Sequence, residues 1–335
     1  MDQTSLIEVT QLTRRYGSFT AVDDIGFKLE RGEVLGFLGP NGAGKSTTMQ
    51  MLTGNLAPSA GRIRINGVDL LDDPQRAKAQ IGYLPEQPPL YRDLTVDEYL
   101  RYCAQLHRVP RARLPGALAE AKRRSGLTDT GTRLIANLSK GYRQRVGIAQ
   151  AIIHDPAVVI LDEPTVGLDP IQIREIRDLI RELGNSHGVI LSTHILPEVQ
   201  STCDRVQIIN IGRLVFSDRL DALTGHARST SMSVGLERAP DDAELGALPG
   251  IGRIERLDDG RLRLHAEYEA VGEDWARTLG STLAERAAQQ SWGLYELAPE
   301  YRSPEQVFVD ITSGDASPLP PTQGTESDSG ESAAS

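Results

Sequence analysis

Gly39-Pro40-Asn41-Gly42-Ala43-Gly44-Lys45-Ser46 is the stretch of this chain best suited to chemistry. Its glycines permit backbone conformations that a Cβ forbids, so the main chain can approach an anion closely. The amides then point inward, and a helix starting at Ser46 adds positive potential at its N-terminus. Such a loop binds polyphosphate. Lys45 is placed to neutralise β- and γ-phosphates, and the Ser46 hydroxyl to sit on Mg²⁺.

The second constellation is Val158-Val159-Ile160-Leu161-Asp162-Glu163, an apolar strand ending in two carboxylates. Consecutive residues at a strand's end point to opposite sides, so one acid can serve a metal while the next serves another group. Asp162 is assigned to the Mg²⁺ shell and Glu163 to polarising an attacking water. In isolation Glu163, followed by Pro164, reads equally as an acid at a helix start.

Further along, Leu138-Ser139-Lys140-Gly141-Tyr142 precedes a helical run through Val146, Ile148, Ala149, Ile152 and Ile153. Taken alone, Ser139 is an N-cap. A helix N-terminus with a hydroxyl and a glycine is also an anion site, here free to hold a γ-phosphate on a second copy of the chain. His194 follows the strand Val189-Ile190-Leu191-Ser192, on the sheet edge expected to carry the carboxylates; by itself a lone histidine is usually structural. Asp169, in Gly167-Leu168-Asp169, reads as a turn acid. Tyr16 reads as a strand aromatic or as a stacking surface for a base.

The elements needed to position these groups are legible. Ile7, Val9 and Leu12 alternate up to a turn at Gly17, and Ile25, Phe27 and Leu29 alternate up to a turn at Arg31-Gly32-Glu33. Val34-Leu35-Gly36-Phe37-Leu38 is a short apolar run, the mark of a strand buried on both faces. Residues 46–56 read as a helix, so strand, glycine loop and helix follow in the order a phosphate loop requires. Helical patterns recur from Thr95, with Tyr99, Leu100, Cys103 and Leu106 on one face, and over residues 117–125, Pro110 interrupting between them. Apolar strands are expected at residues 157–161 and 189–192. Alternating strands and helices predict an α/β fold with a largely parallel sheet.

Composition shifts near Leu220. Residues 230–312 read as a separate small α+β domain: Met232, Val234 and Leu236 alternate, residues 275–288 form an amphipathic helix, and residues 304–311 form a short closing helix. From residue 313 the chain is Ser, Gly, Pro and acid, a composition that predicts a disordered tail.

The chain has 335 residues, 39% hydrophobic and 24% charged, with a net charge of −10. That describes a globular protein with a substantial core and argues against a nucleic-acid partner, which needs dense Lys and Arg. Cys103 and Cys203 form no CxxC pair and fit a reducing compartment. No signal peptide is expected at the start, and no run reaches 18 apolar residues, so any membrane role is borrowed from a partner.

These motifs together resemble the ATP-binding subunit of an ABC transporter, over roughly residues 5–220. The resemblance implies a P-loop NTPase fold: a RecA-like parallel core sheet, an antiparallel β subdomain and a helical subdomain at about 87–155, within an ATP-binding domain at 1–220. An accessory domain at 221–312 and the tail at 313–335 follow. It implies ATP and Mg²⁺ as cofactors. Tyr16 is then the adenine-stacking aromatic, and residues 39–46 with Thr47 form the Walker A loop. Glu86 and Gln87 fall at the Q-loop, and residues 139–142 are the signature. Asp162 and Glu163 are the Walker B pair, Asp169 marks the D-loop and His194 is the switch histidine. The implied catalytic groups are Glu163, His194 and Lys45; the implied metal ligands are Ser46, Asp162 and Gln87. Two motifs depart from the family pattern. Lys140 and Tyr142 replace a glycine and the glutamine of the signature, and Glu86 stands where glutamine is usual, so that Glu86 or Gln87 is the ligand.

The variants and the appended domain are similar to subunits of ABC-2-type exporters. The resemblance implies a head-to-tail dimer, with itself or a paralogue, that closes on two ATP molecules. It also implies a transmembrane permease partner contacted near residues 86–100, and a peripheral location on the cytoplasmic face of the plasma membrane. An importer ATPase with a regulatory C-terminal domain and a soluble ABC ATPase are the competing readings. The latter is disfavoured by the single phosphate loop and the absence of sustained heptads.

Overall fold

The computed structural model describes residues 5–225, 231–266, 275–300 and 303–313. The tail expected over residues 313–335 lies, beyond Ser313, outside the described residues. The chain opens with β1 (Ile7–Tyr16), β2 (Phe19–Leu29), β3 (Val34–Leu38), α1 (Lys45–Leu52), β4 (Ala60–Ile65), β5 (Val68–Asp69), α2 (Pro74–Lys78) and β6 (Ile81–Leu84). Three helices follow: α3 (Val96–Leu106), α4 (Leu114–Arg124) and α5 (Lys140–Ile152). Then come β7 (Val158–Asp162), α6 (Pro170–Gly184), β8 (Gly188–Thr193), α7 (Leu196–Thr202), β9 (Arg205–Asn210), β10 (Arg213–Arg219) and α8 (Leu220–Gly225).

Strands β10-β9-β3-β8-β7-β6 form one sheet in that order, and β2-β1-β4-β5 form a second, antiparallel sheet. In the first, β9, β3, β8, β7 and β6 run parallel, and β10 is an antiparallel edge. Strands β3, β7 and β8 are buried at every residue, as expected where both faces of a parallel sheet are covered. Val159 and Leu161 of β7 join Ile176, Leu179 and Ile180 of α6 and the apolar faces of α3 and α5. Val158 and Ile160 face the other way, toward Met49 and Leu52 of α1 and Ile7 and Val9 of the antiparallel sheet.

This layering sets the site. Leu38 pairs with Thr193, Leu84 with Leu161 and Asp162 with Ser192. The C-terminal ends of β3, β6, β7 and β8 are therefore level, and the segments leaving them emerge on one edge, where ligands of open α/β sheets bind.

Two local expectations differ from the structure. Helix α1 stops at Leu52 rather than Leu56, because Thr53 caps it and Gly54 turns the chain at φ 67°. Strand β11 (Ser231–Leu236) is buried on both faces rather than one. Its second face is covered by charged side chains: Ser231 Oγ donates to Glu300 and Ser233 Oγ to Glu296, and Arg263 and Arg261 pair with the same two acids.

After β11 the chain adds α9 (Asp242–Gly246), β12 (Ile251–Arg256), β13 (Leu262–Ala266), α10 (Trp275–Gln289) and β14 (Leu294–Glu300). The sheet order β12-β13-β11-β14, antiparallel throughout, makes a βαββαβ unit of ferredoxin-like type. Its core joins Met232, Val234, Leu262 and Leu264 to Trp275, Leu279 and Leu283 of α10. Helix α11 (Pro304–Ser313) then returns to the body that holds the parallel sheet: Val307, Phe308 and Ile311 pack in the same cluster as Phe216, Leu220 and Leu223. No helix among the described residues is long and apolar enough to cross a membrane.

Candidate functional site

The phosphate loop leaves β3 at Leu38 and enters α1 at Lys45. Its turn depends on Gly44, at φ 110°, where a Cβ would also lie 2.6 Å from the Ala21 carbonyl oxygen. Lys45 is only 6% exposed. Its Nζ donates to the carbonyls of Gly39 (2.8 Å) and Pro40 (3.2 Å) and lies 3.6 Å from Glu163 Oε1. A cavity of about 500 Å³ opens above the loop, lined by Asn41, Gly42, Gly44, Lys45, Ser46 and Thr47, with Glu86, Glu163 and His194 on its other walls. Sequence motifs from four strand ends thus meet at one cavity.

Asp162 and Glu163 reach it by different backbones. β7 ends at Asp162; Glu163 takes φ 49°, a left-handed conformation rare for a residue with a side chain. The two carboxylates are therefore not separated by strand alternation, as the sequence suggested, but by a local backbone reversal. That reversal costs on the order of 1–2 kcal/mol. It is held by the Glu163 amide donating to the Ser192 carbonyl at 2.9 Å. Glu163 Oε1 and Oε2 lie 3.0 and 2.9 Å from His194 Nδ1. A carboxylate only accepts, which assigns the imidazole proton to Nδ1.

Asp162 is buried, and its Oδ1 has no hydrogen-bond partner among the described residues. Burial raises its carboxyl pKa, and the nearby Glu163 and Glu86 charges add to the rise. Ser192 and Lys45 oppose it, the Ser192 hydroxyl without satisfying Oδ1. A buried carboxylate oxygen with no partner, among neighbouring acids, fits a divalent cation. No group of three or more His, Cys, Asp or Glu among the described residues forms a metal cage by itself.

Several expected residues sit elsewhere. Ser139 caps α5, accepting from the Tyr142 amide at 3.3 Å, and none of Ser139, Lys140, Gly141 and Tyr142 lines the cavity. The Lys140 ammonium packs on Gly167, at φ 70°, and Gln172 packs on Gly141, so the start of α5 rests against the start of α6. Asp169 caps α6, accepting from the amides of Ile171 (3.0 Å) and Gln172 (2.9 Å). Of the Q-loop pair, Glu86 lines the cavity and Gln87 does not. Tyr16 is outside the lining too, its ring covered by the Arg14 guanidinium at 4.6 Å.

Two residues in this region escaped the sequence reading. Phe19 pairs with Tyr16 across the β1–β2 turn, is 62% exposed and lines the cavity. Its signal was an aromatic residue just past Gly17, hidden by the more familiar position of Tyr16. Glu198 is 1% exposed and accepts from Thr165 Oγ1 and, at 2.8 Å, from Thr193 Oγ1. It ties the segment after β7 to the last residue of β8, immediately before His194. Nothing in its local sequence distinguishes it from a surface acid on α7.

The comparisons with known proteins agree with this geometry. The ABC transporter family model matches residues 22–166. The bacitracin transport ATP-binding protein BcrA of Bacillus licheniformis is 38% identical over 213 residues, 63% of this chain and 69% of that protein. The linearmycin resistance ATP-binding protein LnrL of Bacillus subtilis (strain 168) is 30% identical over 310 residues, 92% of this chain and 98% of that protein. A solved ATP-binding subunit of an ABC transporter superposes with a TM-score of 0.61 at 35% identity, covering 66% of this chain and 93% of the other. The chain belongs to the ATP-binding proteins of ABC transporters, the ATPases that drive transport.

Proposed function

We propose that the cavity above residues 39–46 binds MgATP, and that its hydrolysis drives an ABC-2-type exporter through closure of a head-to-tail pair of these subunits. The observation that carries this reading is the convergence of Lys45, Glu163 and His194 at the mouth of the phosphate loop, within 3.6 Å of one another through Glu163. The bacitracin, linearmycin and multidrug names among the relatives support the direction of transport.

Each residue has a role that its position supports. Loop amides and Lys45 hold the triphosphate, with Ser46 and Thr47 at its end. Ser46, Asp162 and either Glu86 or Gln87 of the Q-loop would hold Mg²⁺, which would supply charge neutralisation at the phosphates, and Glu86 is the one of the two that lines the cavity. Glu163 accepts the proton of the attacking water, and His194 holds the Glu163 carboxylate in place from its Nδ1 side. Phe19 and Tyr16 offer the base an aromatic surface. Ser139, Lys140, Gly141 and Asp169, away from their own cavity, face the nucleotide of a second copy.

The further assignments rest on the same reading. The ATP-binding body takes residues 1–220, the accessory domain 221–312 and the tail 313–335. A permease supplies the membrane anchor, with the subunit peripheral on the cytoplasmic face. The experiment is light scattering of purified Glu163→Gln with MgATP. A dimer that reverts to monomer on nucleotide removal is expected, together with capture of an integral membrane partner from detergent extracts. A protein that stays monomeric and captures no membrane component overturns the reading.

A further inference from the structure

A second cavity, of about 540 Å³, lies at the opposite end of the parallel sheet from the phosphate loop. It is enclosed by the end of α3, one face of α4 and the end of α5, next to Ala79 and Asp155, which precede β6 and β7. Its floor is apolar: Val109, Ala117, Ala121, Ile152 and Ile153. Small residues on α4, Gly116, Ala117 and Ala121, make the room.

The polar wall is cationic, although the chain as a whole is acidic. Arg108 and Arg113 line the cavity, and their guanidinium groups have neither an ion pair nor a hydrogen bond among the described residues. Arg124 is held rigidly, its Nη1 3.0 Å from His187 Nε2 and its Nη2 donating to Ser186 Oγ at 2.9 Å. Of the two acids in the wall, Glu120 is already committed to Arg123 at 2.7 Å, which leaves Asp155. His107 and His154 stack face to face at 3.8 Å and 8°. His154 Nε2 is 3.1 Å from the Ile81 carbonyl, which takes its proton, and His154 Nδ1 is buried with no partner among the described residues. Burial lowers the pKa of both imidazoles, His154 to about 4, so they stand as neutral aromatic walls at physiological pH.

We propose that this cavity is a second ligand site, taking a small organic anion: an apolar or aromatic body on the Val109–Ala117–Ile152–Ile153 floor and an acidic group held between Arg108 and Arg113. Three features support it together. The volume suits a small molecule. The floor is apolar, and two unpaired guanidiniums line the same cavity, each a planar fork of donors suited to carboxylate, sulfonate or phosphate oxygens. The site is independent of the nucleotide, because its walls come from the other ends of the strands.

The test is calorimetric titration of the full chain with naphthalene-1-sulfonate under saturating MgADP, which occupies the phosphate loop. One molecule is expected to bind per chain, and neutral naphthalene-1-methanol to bind more weakly. The double variant Arg108→Ser/Arg113→Ser, surface changes that leave the core intact, should weaken binding by about tenfold or more, as loss of two charge-assisted hydrogen bonds requires. Ala117→Trp, which fills the floor, should abolish binding with an unchanged melting temperature. The proposal is overturned if no single-site isotherm appears, if the arginine variant binds as wild type does, or if MgADP displaces the sulfonate.

Discussion

His194 Nδ1 lies within 3.0 Å of both carboxylate oxygens of Glu163, the residue whose backbone is forced into the left-handed region at φ 49°. A strained backbone that aims a buried carboxylate at an imidazole on the neighbouring strand end has no stabilising purpose apparent in the packing. Strain of this kind concentrates where geometry serves chemistry. Replacing Glu163 by Gln keeps the shape and removes the proton acceptor. ATP turnover should fall by about 10²- to 10⁴-fold, the usual contribution of a general base, with ATP affinity kept. His194→Ala, which frees the carboxylate, should lower kcat while leaving KM for ATP within a few-fold. Single-turnover and steady-state rates measure both, and near-wild-type turnover in Glu163→Gln would remove Glu163 from the reaction.

Glu198 shows how the same arrangement is braced. Its carboxylate accepts from Thr165 and Thr193 with almost no solvent access. Glu198→Ala leaves two buried hydroxyl protons without their acceptor, which should cost roughly 1–3 kcal/mol of stability. It should also lower kcat more than it raises KM for ATP, because the segment carrying His194 loses its tether. Glu198→Gln, which can still accept one of the two bonds, should recover part of both. Equal losses of kcat in the two variants, with stability unchanged, would rule out the bracing role.

What could be read from the sequence, and what could not, follows from the range of the interactions. Strand β3, the glycine loop and α1 are local in sequence, so apolar run, glycine spacing and helix pattern identify them together. Asp162 and His194 were legible because each ends a buried strand, and strand ends of a parallel sheet share an edge. Glu198 was not, because its partners lie 33 and 5 residues away, one in the segment after β7 and one at the end of β8. The end of α1 was misread because a polar cap and a glycine turn override an apolar pattern that continues to Leu56. The rotation at Glu163 escaped because a left-handed non-glycine residue leaves no mark in composition.

Phe19 and Tyr16 offer a direct comparison. They pair across the same turn, but only Phe19 lines the cavity, and Arg14 already occupies a face of Tyr16. Loss of a stacked base costs about 1–3 kcal/mol by alanine substitution. Phe19→Ala should therefore raise KM for ATP by roughly 5- to 150-fold on that scale, with Tyr16→Ala giving the smaller change. Measurement with ATP and with inorganic triphosphate separates stacking from phosphate binding, since only ATP should be affected. A larger effect at Tyr16 would reverse the assignment.

The buried imidazole at the other end of the sheet makes a pH prediction. Burial, reinforced by His107, pushes His154 down to about 4 from its ordinary 6.5. The folded form then binds fewer protons than the unfolded form between those values, so stability falls as pH falls through that window. His154→Phe keeps a ring against His107 and removes the titrating group. Urea unfolding at pH 7, 5.5 and 4.5 should show wild type losing stability faster than the variant on acidification. Parallel pH profiles for the two proteins would show that His154 is not the source.

Helix α11 makes the last prediction, about how the accessory domain is attached. The chain leaves the ATP-binding body through α8, builds the βαββαβ unit and comes back through α11, where Val307 is buried beside Phe216 and Leu223. The return is locked by Asn210 Nδ2 donating to the Thr312 carbonyl at 2.7 Å. Val307→Asp puts an unpaired charge into this contact and should cost roughly 3 kcal/mol or more, or else expel the helix. In the expelled state, proteolysis should cut near residues 301–303 while the ATP-binding body stays folded. Removing residues 314–335 instead, which leaves Thr312 and Ser313 in place, should change neither melting temperature nor ATPase rate. If that truncation destabilised the protein as much as Val307→Asp, the anchor would lie in the tail and not in α11.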